Sequence, residues 1–198
     1  ALTGSQSATR REQSLSVEFT DLAASDTLEA YRTFSISEDY SRYGALAWYT
    51  SAFDVAGYDP AVDSLYYFVR FASDERGDSY YELKRRLPAS SAPLATRWEE
   101  VRAQLAEISN FKLALDFPKT DPILYRAAYG EAGDSLIIRG RPSFTRLRRI
   151  SIGLINAHAG ADTLGRRFAR GQLWFDELRA TDIAKDVGIA NRVQVGAH

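Results

Sequence analysis

A two-residue alternation of apolar and polar side chains, dense in aromatic and β-branched residues, constrains this chain more than any other feature. It is clearest in the runs Leu65–Phe71 (LYYFVRF) and Ser79–Leu87 (SYYELKRRL), joined by the turn-forming tetrad Glu75, Arg76, Gly77 and Asp78. A period of two puts successive side chains on opposite faces of a pleated strand, and β-branched and aromatic residues fit such a surface. With a Gly-containing turn between them, the two runs predict an antiparallel hairpin. Tyr66, Phe68 and Arg70 share one face of its first strand, and Tyr80, Glu82 and Lys84 share a face of the second.

Similar patterns recur along the chain. Ser14–Thr20 sets Leu15, Val17 and Phe19 against Ser16, Glu18 and Thr20, the signature of a half-buried strand. Asp21–Arg42 reads as an irregular stretch with Leu28, Tyr31, Phe34 and Ile36 as buried anchors and one short strand near Tyr31–Ile36. Gly44–Phe53 places Leu46 and Trp48 on one face and Ala47, Tyr49 and Phe53 on the other, as expected of a central strand covered on both sides. Further strands are predicted at Ser135–Arg139, Leu147–Ile155 and Gln172–Ala180.

One segment changes period. In Thr96–Leu115, Trp98, Val101, Leu105 and Ile108 recur at helical spacing, and Thr96 with Glu99 fits a capping box. Asp116–Asp134, holding Pro118, Pro122, Gly130 and Gly133, reads as a long surface excursion. Many strands with one helix predict an all-β, antiparallel, jelly-roll-like sandwich with one short α-helix packed beside it.

Composition narrows the functional classes. With 198 residues, 45% of them hydrophobic, the chain can close one core of ordinary domain size. Twenty-five basic residues against twenty-six acidic ones leave a net charge of −1, so the overall field favours neither nucleic acid nor an anionic membrane surface. There is no cysteine, which removes disulfides, thiolate metal sites and thiol nucleophiles. No apolar run approaches the roughly 20 residues of a membrane helix. Methionine is absent even at position 1, which leads us to expect an excised piece or a processed product.

Candidate chemistry is sparse. The two histidines, His158 in a Gly and Ala loop and His198 at the end, are poorly placed for a catalytic triad or a two-histidine metal site. The acidic pairs Asp74/Glu75, Glu99/Glu100 and Asp176/Glu177 offer two carboxylates each, as a glycosidase needs. Turn, helix start and solvated strand face are their plainer readings. Asp176 is a candidate ligand for a structural calcium of the jelly-roll kind, with a salt bridge as the plainer reading. The arginines 139, 141, 146, 148 and 149, with 166, 167 and 170, lack interleaved aromatics and read as a solvated face or inter-domain contact. The hairpin face built on Tyr66, Arg70, Tyr80 and Glu82 is the best ligand-binding candidate, because aromatic rings flanked by Arg and Glu can stack and hydrogen-bond a sugar. Core packing with ordinary cross-strand pairs explains the same residues. No catalytic residue, no cofactor and no bound metal are expected.

Four blocks taken together resemble the repeated soluble modules of the SprA family. They are EQSLSVEFTDL (Glu12–Leu22), DSLYYFVRFASDERGDSYYELKRRL (Asp63–Leu87), PSFTRLRRISIGLIN (Pro142–Asn156) and GQLWFDELRATDI (Gly171–Ile183). The last is the most specific, with Asp176 where Asn is common in the family and Leu173 where Val is common. The resemblance implies a module at residues 12–183, a flexible segment before it at 1–11, and a tail at 184–198 leading into a membrane strand. It further implies an extramembrane insertion in the large outer-membrane barrel of type IX secretion and gliding motility, at the cell surface of a Bacteroidota-like bacterium. Its expected partners are other segments of the parent, a partner barrel, a plug protein or secreted cargo, with no nucleic acid and no membrane insertion by the piece itself. The pattern also looks like jelly-roll carbohydrate-binding modules, which makes sugar binding the alternative function.

Overall fold

The structure is a computed structural model that describes residues 14–89, 98–114, 124–130, 133–158 and 166–183. Among these residues ten strands and one helix follow in order. They are β1 (Leu15–Leu22), β2 (Thr27–Glu38), β3 (Tyr43–Phe53), β4 (Leu65–Ala72), β5 (Tyr80–Arg86), β6 (Glu99–Gln104), α1 (Leu105–Ala114), β7 (Leu124–Ala128), β8 (Ser135–Arg139), β9 (Leu147–Asn156) and β10 (Phe168–Ile183). A four-stranded sheet in the order β1-β10-β3-β6 packs on a six-stranded sheet in the order β2-β9-β4-β5-β8-β7. Every pairing is antiparallel. The chain is therefore an all-β, jelly-roll-like sandwich with one short helix.

The alternation explains the layers. Val17, Phe19, Leu46, Trp48, Val101, Leu173 and Phe175 of the small sheet meet Tyr67, Val69, Phe71, Tyr81, Leu83, Leu136, Ile152 and Leu154 of the large one in a single cluster. Trp48 is fully buried, 5.8 Å from the Phe175 ring and 6.3 Å from Phe71. Tyr81 stacks on Phe144 at 4.5 Å, and its hydroxyl donates to the Pro142 carbonyl. Burial pushes that phenol up to about 12. Trp48 and Leu46 sit opposite Ala47 and Tyr49 across β3, which has neighbours on both sides, as a central strand should.

Four expectations change. The helix begins only at Leu105, because Glu99–Gln104 is a strand with Val101 and Ala103 facing the core and Glu100 and Arg102 facing out. Val101, Leu105 and Ile108 satisfy a helical spacing by chance: the first packs from a strand, the other two from α1. Glu99, expected to close a capping box, instead lies in β6 and pairs with Arg85 at 2.9 Å, while Thr96 lies outside the described residues. Next, the excursion expected at 116–134 contains β7, an edge strand whose exposed Leu124 hides its pattern. The stretch 21–42 is largely the twelve-residue strand β2, whose Ser and Thr sit on an exposed edge. Finally, two of its expected anchors are not buried: Tyr31 is 63% exposed and Ile36 76%.

The expected terminal segments 1–11 and 184–198 lie outside the described residues, as does His198. Among the described residues no helix is long and apolar enough to cross a membrane.

Candidate functional site

The β4–β5 register places Tyr66 opposite Arg86, Phe68 opposite Lys84, Arg70 opposite Glu82 and Ala72 opposite Tyr80. All eight side chains share the face that points away from the core, as alternation requires. The face is not bare. The Arg70 guanidinium lies 4.2 Å from the Phe68 ring centroid and 4.8 Å from that of Tyr80, and the Lys84 ammonium lies 4.3 Å from Tyr66. Phe68 has no exposed surface, and Tyr80 has 8%.

Carboxylates hold Arg70 in place. Arg70 meets Glu82 at 2.5 Å and Glu29 at 2.8 Å, and Glu29 also takes Arg149 at 2.7 Å. Arg149 in turn lies over Tyr31 at 3.7 Å. Burial raises the pKa of Glu29, but hydrogen bonds from Ser151 and Arg149 and the charges of Arg70 and Arg149 outweigh it and hold the carboxyl below its usual range. Burial, with Arg126 nearby, lowers Lys84 from the ordinary lysine value. Chemically this is an ion-pair lattice laid over aromatic rings. A sugar stacking on Tyr66 or Tyr80 would have to displace Lys84 or Arg70 first. Glu29, Arg149 and Ser151 come from β2 and β9, and nothing local to the hairpin announces them.

The other candidates are dispersed. Asp74 organises the hairpin turn: Oδ1 accepts from the backbone N–H of Gly77 and Asp78, and Oδ2 from that of Ser79. Its neighbour Glu75 pairs with Arg148. Glu99 faces into the sandwich, whereas Glu100 faces out to Arg179 at 2.5 Å, so that pair cannot converge on one substrate. Asp176 and Glu177 occupy a bulge of β10, where Asp176 accepts the Glu177 N–H at 2.8 Å and Glu177 adopts φ 49°. Among the described residues no group of three or more His, Cys, Asp or Glu is placed to hold a metal.

The arginines spread into separate ion pairs: Arg149 with Glu29, Arg166 with Asp63 at 3.0 Å, Arg167 with Asp21 at 2.8 Å and Arg170 with Asp54 at 3.0 Å. Asp63 is fully buried, and His158 approaches the same carboxylate at 3.8 Å. At that distance the Asp63 carboxylate and the His158 imidazole share no hydrogen bond.

Two features escape the sequence reading. Between the sheets, Arg85 meets Asp134 at 2.7 Å beside Tyr67, whose phenol burial holds well above the usual range. On the outer face of the small sheet, Phe53 stacks on Trp174 at 4.9 Å and Trp98 lies 6.1 Å from Trp174. Assigning Trp98 to a helix hides that row. Beside β2 a cleft of about 590 Å³ opens between the sheets, lined by Leu15, Phe34, Ile150, Phe175 and Leu178 with Arg32, Asp176 and Arg179. Comparison of the chain with protein-family models, with curated proteins and with solved structures returns no match in any of the three.

Proposed function

We propose that this sandwich is a non-catalytic, extramembrane structural and interaction module of a large outer-membrane translocon of the type IX secretion and gliding-motility kind. One observation carries the reading: the first and last described strands are antiparallel neighbours. Leu15 pairs with Phe175 and Leu22 with Phe168, and β10 then runs on to Ile183 in the direction from which β1 arrives. The extra length, about 25 Å at strand rise, carries Ile183 past the point beside Phe175 where Leu15 begins β1, so the described chain enters and leaves antiparallel on neighbouring strands. A domain inserted between two adjacent antiparallel strands of a barrel needs that geometry.

The ion-pair lattice adds support. Its Arg70, Arg149, Glu29 and Glu82 satisfy one another within the module, which suits a rigid spacer or docking surface in contact with other segments of the parent, a partner barrel, a plug or cargo. Sugar binding on the hairpin face has less support, because cations already cover the ring faces. The test is deletion of residues 12–183 from the parent with a short flexible joint. The barrel should still assemble while cargo export falls. Undiminished export would refute the role, and loss of polysaccharide retention on Tyr66→Ala in a folded module would favour the sugar-binding alternative.

A further inference from the structure

β2 is one of the two edge strands of the large sheet. Among the described residues its one sheet neighbour is β9, and the pairing slips between Thr33 and Glu38, leaving Phe34–Ser37 without a ladder partner there. The Arg148 guanidinium donates to the Ser35 carbonyl from the β9 side. Sheets protect such edges by shortness, by Pro, by charged side chains, especially Lys, or by bulges. β2 is twelve residues long and contains neither Pro nor Lys, and it exposes Tyr31 and Ile36. Among the described residues neither Arg32 nor Glu38 has an ion pair within the chain, although Arg32 lies over the Phe34 ring at 5.9 Å.

The stretch Arg32-Thr-Phe-Ser-Ile-Ser-Glu38 is complementary to its own reverse. Turned antiparallel about Ser35, it sets Arg32 opposite Glu38, Thr33 opposite Ser37 and Phe34 opposite Ile36. Opposite charges, paired hydroxyls and an aromatic facing a β-branched residue are the favourable cross-strand combinations. A two-fold axis repeats each pair. Neighbouring registers that keep the same faces aligned are worse: centring on Phe34 sets Arg32 against Ile36 and Glu38 against Ala30, and centring on Thr33 sets Glu38 against Leu28. Charge and apolar pattern therefore select one register.

We infer that the β2 edge is a homodimerisation surface, on which a second copy of this chain adds its own β2 antiparallel about Ser35 to continue the six-stranded sheet across the two-fold. The occupant is a second copy because the complementarity is internal to the strand. This inference stands apart from the translocon reading, since it requires only the edge and its sequence.

The test is a charge swap read by sedimentation equilibrium over a wide concentration range. The parent sequence should form dimers. Arg32→Glu and Glu38→Arg should each weaken dimerisation about tenfold, since each places like charges opposite one another twice. The double variant Arg32→Glu/Glu38→Arg should restore it. Both side chains are exposed, so circular dichroism should stay unchanged in all three, and so should the thermal midpoint at concentrations where the parent is monomeric. A monomer at every concentration, a dimer indifferent to the single changes, or failure of the swap to restore association would overturn the inference. So would a chain that stays monomeric while β2 takes up a different extended segment.

Discussion

Phe68 illustrates what alternation reveals and what it hides. Its place beside Tyr66 and Arg70 on the outward face follows from a period of two, and the register agrees. Its complete burial does not follow, because the residues that close over it come from elsewhere: Arg70 is held from β2 by Glu29, and Gly153 of β9 lies under the ring. A Cβ at Gly153 would collide with the Phe68 ring and the Leu28 carbonyl oxygen, one of them backbone that cannot swing aside. Gly153→Ala should therefore destabilise the fold by about 2–4 kcal/mol, as overpacking at a tight strand crossing does. Urea unfolding measures it, and a midpoint unchanged from the parent protein would show that the sheet relaxes freely there. Arg70 and Glu82 were legible as a cross-strand pair; Asp63 with Arg166 was not, since more than a hundred residues separate them.

At the level of elements, the hairpin was readable because everything it needs lies within one stretch of chain. The turn shows why. The Asp74 carboxylate accepts hydrogen bonds from the N–H groups of Gly77, Asp78 and Ser79, and although partial burial raises its pKa, the backbone N–H groups of Asp78, Ser79, Gly77 and Arg76 outweigh burial and lower it. A carboxyl depressed in the folded state adds stability above its unfolded value, near pH 4, and that stability is lost as pH falls through the lower folded value. Asp74→Asn should lower the unfolding midpoint at pH 7 and flatten its decline between pH 5 and pH 2, as followed by circular dichroism. An equally steep decline in the variant would assign the acid sensitivity to other carboxylates such as Glu29. The β6–α1 junction was misread for the converse reason. Six residues of strand followed at once by a helix superpose two periods, and only the β3 partner reveals which residues belong to which. β2 and β7 were undercalled because edge strands keep one side in solvent, which blurs the alternation.

For the whole molecule, the sandwich class was legible, since many alternating segments and one helix leave few other ways to bury a core. The order of strands was not. β9 enters between β2 and β4, and β10 between β1 and β3, through pairings that span most of the chain and carry no local mark. Those long-range pairings bring the chain's arrival and departure side by side, and the proposed role as an inserted module rests on that. The most direct measurement is to graft the chain into a tight turn of an unrelated eight-stranded outer-membrane barrel and follow the host's heat-modifiable mobility together with the protease resistance of the insert. A folded barrel carrying a folded, resistant insert is the expected result. A host barrel that no longer closes around an otherwise folded sandwich would contradict the account, because antiparallel entry and exit on neighbouring strands should suit neighbouring antiparallel barrel strands.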